Sequence, residues 1–400
     1  MARRRGTKKQ RTRRKVCVCT GARSEYGILR PVMRQIKKSR QLALQVVAAG
    51  MHLAREFGHT VDEIEADGFV VAERVPMLPS NDTLVAMSES VGRGIVGFTR
   101  AFAKLGSEIV VVLGDRTEAF AAAVAACLSG RILAHIHGGD RAEAGYDDYM
   151  RHAITKMAHV HFAATAGSAE RIAKMGEDRR RIFTVGAPGL DEIRPLALPP
   201  AEVTKRRLGF DPRDPLILCV QHSVSTHPQD SAAEMRETLS ALTEIALPTV
   251  VIYPNSDAGG RAIIRVIRSW EADYGREHGK WLAVYKSLPR EEFFAVMKAA
   301  SVMVGNSSSG IIEAASFGLP VVNVGRRQAG RERSGNTIDV PPRRDDVERA
   351  ISRIIHDIEL RKWLSRPKNI YGDGKASVRI RSVLERIGLG GAVRRKQITY

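Results

Sequence analysis

Three clusters in the 400-residue chain combine residue types that can move protons. Gly114-Asp115-Arg116 follows the apolar run IVVVL. His135-Ile136-His137-Gly138-Gly139-Asp140 closes a second run, with Asp147, Asp148, Arg151 and His152 soon after. Gln221-His222-Ser223 closes a third. Carboxylates and imidazoles released at strand ends suit general acid/base work. Each also has a plainer role: Asp115 can cap the helix that opens at Thr117, and Asp147 or Asp148 the helix after them. His135 and His137 stand two apart on a strand, so they are expected on one face, where Asp140 could join them around a metal. Further ligands at a persuasive spacing are missing and arginines crowd the segment, so no metal is expected.

Two further clusters suit an anion. Gly305-Asn306-Ser307-Ser308-Ser309-Gly310 lies between an apolar run and the helical pattern IIEAASFG. Small residues and backbone N–H groups at a helix start can cradle a diphosphate, and Glu313, about one turn later, can accept hydrogen bonds from two ribose hydroxyls. Thr20-Gly21-Ala22-Arg23 leads a glycine-bearing turn into a helix, where Arg23 could clamp phosphate oxygens with its fork. Neither segment is G-x-G-x-x-G, and no G-x-x-x-x-G-K-[ST] occurs, so nicotinamide and P-loop nucleotide chemistry lose support.

The elements that must position these groups repeat one rhythm. Short, nearly continuous apolar runs such as Val16–Cys19, Leu44–Ala49, Ile109–Leu113, Ile132–His137 and Val160–Ala164 alternate with helical patterns. The alternation predicts an α/β fold with a parallel sheet covered on both faces. A proline-rich stretch, Pro188–Pro200, interrupts the rhythm, which restarts at Leu216. Four segments follow: a basic disordered tail at 1–15, an N-terminal α/β domain at 16–187, a nucleotide-binding α/β domain at 188–368, and a crossover helix with tail at 369–400. Two such domains bring their strand ends together across a cleft.

Composition narrows the classes. Lys and Arg exceed Asp and Glu by 19, and nine of those positive charges lie in residues 1–15, which hold no acid. The tail could attach weakly to nucleic acid or to an anionic surface, but no stacking aromatics or recognition motif accompany it, so no specific nucleic-acid partner is expected. No apolar run is long enough to span a membrane and no secretory leader is visible, so a cytoplasmic protein without a membrane partner is expected. Cys17, Cys19, Cys127 and Cys219 are scattered and read as reduced core residues.

The motifs TGARSEYG, LGDR, HIHGGD, RHAITKMAHVHF, VQHSVST, YPNSDAGGR, VGNSSSGIIEAASFG, NVGRRQAGR and IYGDGKA together resemble the hydrolysing UDP-N-acetylglucosamine 2-epimerases of sialic-acid-type biosynthesis. The resemblance runs from about Val16 to Ile387. It implies two Rossmann-like domains facing across a cleft, GT-B-like, with a C-terminal helix packing back on the first domain. It implies conversion of UDP-N-acetylglucosamine and water to N-acetylmannosamine and UDP, by elimination to a 2-acetamidoglucal and rehydration. No cofactor is implied, and a homo-oligomer, dimer or tetramer, is. Relatives acting on UDP- or GDP-linked 2,4-diacetamido-trideoxy sugars share the pattern.

By motif position, the resemblance makes Asp115, Asp140, Asp147 and His222 catalytic. It places Arg23, Arg116, Asn255, Ser307, Ser308, Glu313 and Arg327 around the nucleotide. Many members carry a glutamate where His137 stands, which leaves the third acid/base role open between His137 and Asp140. A metal-dependent hydrolase built on His135, His137 and Asp140 and a tail-mediated nucleic-acid binder are the readings of other classes.

Overall fold

The structure is a computed structural model that describes residues 13–79, 83–141, 146–193, 197–224, 226–255, 258–278 and 281–400. Seven strands make the first sheet: β1 Arg14–Thr20, β2 Leu42–Ala49, β3 Val71–Val75, β4 Ile109–Leu113, β5 Ile132–Ile136, β6 Val160–Ala163 and β7 Ile182–Thr184. They are parallel, in the order β3-β2-β1-β4-β5-β6-β7. Six more strands make the second: β8 Ile217–Val220, β9 Thr249–Ile252, β10 Leu282–Tyr285, β11 Val302–Gly305, β12 Val321–Val324 and β13 Thr337–Val340. These are also parallel, in the order β10-β9-β8-β11-β12-β13.

Both orders reverse direction once, between β1 and β4 and between β8 and β11. Loops leaving neighbouring strands at such a point turn to opposite faces of the sheet and open a crevice beyond its carboxyl edge. Asp115 follows β4 and Arg23 follows β1; His222 follows β8 and Ser307 follows β11. Four of the five clusters singled out by chemistry therefore lie at the two places where this topology makes room for a ligand, and the fifth, at 135–140, follows the adjoining strand β5.

Helices cover both faces, which is why the central strands need no polar side. All five residues of β4 are buried, as are all four of β8 and β11. The helix Thr117–Leu128 (TEAFAAAVAACL) is apolar on nearly every side, and alanines let it sit deep beneath the helix Leu84–Leu105. The C-terminal helix Ala376–Arg386 packs on the helix Arg23–Lys38. Its Ile380, Val383 and Leu384 complete the first domain's core, each contributing about 1.5–3 kcal/mol by burial.

One short turn, Pro188–Glu192, touches both domains and the C-terminal helix. The Gly189 carbonyl accepts from Arg290 of the second domain at 2.8 Å, and Asp191 accepts from the backbone N–H groups of Ala376 and Ser377 at 2.9 and 2.6 Å. Glu192 takes a bidentate pair of hydrogen bonds, 2.7 and 2.9 Å, from Arg30 of the first domain.

Some elements differ from expectation. Arg14 and Lys15 belong to β1, paired with Leu42 and Ala43, and not to a disordered tail. Regular strand pairing overrides the run of charge there, while residues 1–12 lie outside the described residues. β3, β13 and the helix Arg344–His356 were not anticipated. β3 and β13 are edge strands only partly buried, so the apolar run that marks a central strand is diluted.

Candidate functional site

At the first crevice the buried guanidinium of Arg151 is the junction. It lies on the helix Tyr146–Met157, in line with buried Ile154 and Thr155. It pairs with Asp115, donates to Asp148 Oδ1 at 2.7 Å and to the Asp140 carbonyl at 3.0 Å. Burial and the nearby charges of Arg331, Arg327 and Arg171 push its pKa below the ordinary arginine value, and the acceptors supply the partners that a buried guanidinium needs. Asp147 lies in the first turn of the same helix, beside Asp148.

His137 and Asp140 are joined rather than alternative. His137 sits one residue past β5 with φ +62°, a left-handed backbone that is uncommon outside glycine and that removes it from the alternation of the strand. Its Nδ1 lies 2.9 Å from Asp140 Oδ2, and Ser168 donates to Asp140 Oδ1 at 2.7 Å. Burial alone would raise the Asp140 pKa; the His137 hydrogen bond and charge, Arg331 and Ser168 outweigh it and hold the carboxyl below its ordinary value.

His135 does not share their surroundings, contrary to expectation. Its Nε2 lies 2.7 Å from the Gly114 carbonyl and its Nδ1 3.2 Å from Thr155 Oγ1, and burial lowers its pKa to about 3. The trio proposed for a metal is thus divided, and among the described residues no group of three or more His, Cys, Asp or Glu is set to hold a metal ion.

The second crevice is built from neutral groups. Gly305 closes β11 with φ +120°, and a Cβ there would stand 2.2 Å from the Val220 carbonyl oxygen, so only glycine lets the two strands run this close. Asn306 then spans the gap. Its side chain accepts from the His222 N–H at 2.7 Å and donates to the His222 carbonyl at 2.9 Å, which fixes the backbone of His222 from both sides. The Asn255 N–H donates to His222 Nδ1 at 3.1 Å, so the neutral ring carries its proton on Nε2.

Ser307 caps the following turn by accepting from the Ser309 N–H at 3.3 Å. Arg327 and Gln328 both donate to the Asn306 carbonyl, at 3.2 and 2.8 Å. Glu313, five residues after Ser308, is buried beside Arg290, with Oε1 3.6 Å from Nη2.

The two edges meet. Thr165 of the first domain donates to Glu332 of the second at 2.6 Å, and His137 lies near enough to Glu313 to favour its charged form. Two expected nucleotide contacts are engaged elsewhere. Arg23 pairs with Glu63 at 2.9 Å, and Arg116 Nε lies 3.3 Å from Glu118 Oε2. Beneath them Glu25 accepts from the Gly21 N–H at 2.7 Å, and burial together with Glu118 raises its pKa to about 7. Sequence reasoning missed the roles of Arg151, Asn306, Arg290 and Glu192. For Arg151 and Arg290 a signal existed, since each charge falls in register with a buried helical stripe.

A family model described as UDP-N-acetylglucosamine 2-epimerase matches residues 34–385. The chain belongs to this family. It is 38% identical, over 97% of its length and 100% of the relative's, to a UDP-N,N'-diacetylbacillosamine 2-epimerase (hydrolyzing) of Legionella pneumophila. It is 31% identical to a UDP-N-acetylglucosamine 2-epimerase of Neisseria meningitidis, over 80% of this chain and 81% of that one. Its fold is that of the crystal structure of UDP-GlcNAc 2-epimerase from Neisseria meningitidis bound to UDP-GlcNAc. The TM-score there is 0.77 at 18% identity, covering 92% of this chain and 99% of that chain. The chain is accordingly a hydrolysing nucleotide-sugar 2-epimerase with two Rossmann-like domains in the GT-B-like arrangement. The family match opens at residue 34 and leaves Arg23 ahead of it. Among the described residues no helix is long and apolar enough to cross a membrane.

Proposed function

We propose that the enzyme holds a UDP-linked 2-acetamido sugar across the cleft, eliminates UDP and adds water to the resulting 2-acetamidoglucal with inversion at carbon 2. The observation that carries this reading is the opposition of two unlike edges. Asp115, Asp147 and the His137–Asp140 pair stand on one, and the turn at 305–310 with Glu313 stands on the other. The carbon 2 hydrogen has no neighbouring carbonyl to acidify it. Cleavage of the bond from carbon 1 to the phosphate oxygen must first build positive charge on the sugar, which carboxylates tolerate.

One carboxylate then takes the carbon 2 proton, and UDP departs with the electrons of the glycosidic bond. In the second half an acid protonates carbon 2 from the opposite face while a base helps water add to carbon 1. Asp115, Asp140 with His137, and Asp147 divide these proton transfers. His222, with its proton on Nε2, is suited to donate to the departing diphosphate. Ser307, Ser308, Asn255 and Arg327 surround the diphosphate in this reading, Glu313 takes the ribose, and Arg23 and Arg116 approach from the first domain.

The identity of 38% over the full length, against 31% over four-fifths, weights the 2,4-diacetamido sugar ahead of N-acetylglucosamine. Both sugars present the same chemistry at carbons 1 and 2. Offering UDP-N-acetylglucosamine, UDP-N,N'-diacetylbacillosamine and their GDP counterparts in heavy water tests sugar, base and route together. The freed sugar is expected to carry solvent deuterium at carbon 2, with UDP released. Full retention of the original hydrogen contradicts elimination.

We also read the enzyme as a cytoplasmic homo-oligomer. Free buried thiols at Cys17, Cys19 and Cys219 fit a reducing compartment. Leu84, Val85, Val96 and Tyr149 expose apolar surface on neighbouring helices of the first domain, as a subunit contact would need. Light scattering that finds a monomer rejects the oligomer.

A further inference from the structure

We propose that Arg290 is a positioning residue for the nucleoside: it holds Glu313 as an aimed carboxylate for the ribose hydroxyls and ties that carboxylate to the turn joining the domains. The inference rests on the assignment of Glu313 to the ribose.

Arg290 opens the helix Arg290–Ala299 immediately after Pro289, and its guanidinium lies over the Phe294 ring with 4.5 Å to the centroid. An arginine this deeply buried needs acceptors on several sides, because its charge cannot be given up cheaply. It has three. Nη2 donates to the Gly189 carbonyl at 2.8 Å and lies 3.6 Å from Glu313 Oε1, while Nε lies 3.3 Å from Glu192 Oε2. Gly189 is wedged against the pair: a Cβ there would fall 2.9 Å from Nη2 and 3.1 Å from Glu313 Oε1. No side chain fits between the hinge turn and the Arg290–Glu313 couple.

The couple has a chemical purpose. A carboxylate accepts from two ribose hydroxyls; a neutral carboxylic acid spends one oxygen as a donor and accepts poorly. Glu313 is fully buried, and burial pushes its pKa up. Arg290 opposes this first, then His137 from the first domain and the Ser309 hydroxyl from its own turn; together they reduce the upward shift without reversing it. On the other side of Arg290, Glu192 supports its charge and Arg30 opposes it. Remove Arg290 and the main counterweight to burial is lost, so Glu313 takes up a proton at higher pH. Ribose recognition then weakens as pH falls, starting at a higher pH than in the native site.

The test is calorimetric binding of UDP and 2'-deoxy-UDP at about pH 6 and about pH 8, on the full chain and on Arg290→Gln and Arg290→Lys. The native enzyme is expected to prefer UDP by roughly tenfold or more at both pH values, the scale of a hydrogen bond to a charged group. Arg290→Gln should lose that preference at about pH 6 and regain part of it at about pH 8. Arg290→Lys keeps a charge without the fork. It should keep the preference at both pH values while binding both nucleotides more weakly. A native-like preference in Arg290→Gln at both pH values overturns the role of Arg290. No preference in the native enzyme overturns the ribose assignment of Glu313 itself, a separate failure. Circular dichroism and melting of each variant establish that the protein is folded; if Arg290→Gln is not, native-strength binding of both nucleotides by Arg290→Lys overturns the role of Arg290.

Discussion

The two edges of the cleft are made of different materials. At the first, Asp115 and Asp148 pair with a buried arginine and Asp140 with a histidine, Asp147 stands in the same helical turn as Asp148, and most of these contacts are charged or titratable. At the second, a glycine, an asparagine and a cap of serines organise the backbone with neutral hydrogen bonds, and charge enters around them at Arg327, Arg331, Glu332 and the Glu313–Arg290 couple. The contrast suits the tasks proposed for the two edges. Protons must be exchanged at the sugar, so groups there must be able to change charge at small cost. A diphosphate brings its own charge and needs donors already in place, which neutral amides provide without neighbouring carboxylates to repel it.

If that contrast is right, the edges should break differently. Arg151→Met should have the largest effect on stability, about 3–5 kcal/mol, because it strands Asp115 and Asp148 without their buried cation. Arg151→Lys should recover only part of it, lacking the fork that reaches three acceptors. Asn306→Ala should cost less, about 1–3 kcal/mol, by leaving the His222 N–H and carbonyl unmatched. Urea unfolding measures all three, and a costlier Asn306→Ala would reverse the comparison.

The effect spread most thinly over pH concerns His135. Its pKa is about 3 in the fold against an ordinary 6.5, so between those values the unfolded chain binds a proton that the native one refuses. Stability from this group is therefore present above about pH 6.5 and is lost as pH falls. His135→Gln should flatten the dependence by up to about 1.4 kcal/mol per pH unit in that window. Glu25, raised to about 7, acts in the opposite sense, but it is common to both proteins and cancels in the difference. Equal slopes in urea midpoints from about pH 4 to about pH 7 would show that His135 is not held neutral.

Much of this architecture is legible in the residues. β4 and β8 are apolar throughout, and polar residues follow them at once, so strand ends and candidate groups could be read together. Asp115 follows β4, Asp140 β5, His222 β8 and Ser307 β11, with Glu313 one turn further on. What could not be read depends on distance in space rather than along the chain. Nothing local tells that Arg151 faces Asp115, that Glu192 will meet Arg30 across 162 residues, or that Arg290 will reach Glu313. The relation of His135 to His137 was misjudged because strand alternation was carried one residue too far. The backbone turns left-handed at His137, and periodicity holds no information past that point.

The most direct measurement compares two variants on the same two quantities. Asp115→Asn alters the charged edge, and Ser307→Ala combined with Ser308→Ala alters the neutral one. Turnover and UDP affinity are measured for both. Asp115→Asn should lose turnover by roughly 10²–10⁴ while UDP affinity stays near native. The double serine variant should lose roughly 1–3 kcal/mol of UDP affinity. Its turnover at saturating substrate should fall far less than that of Asp115→Asn. Near-native turnover in Asp115→Asn, or parallel losses of turnover and affinity in both variants, would contradict a cleft in which one edge does the chemistry and the other holds the nucleotide.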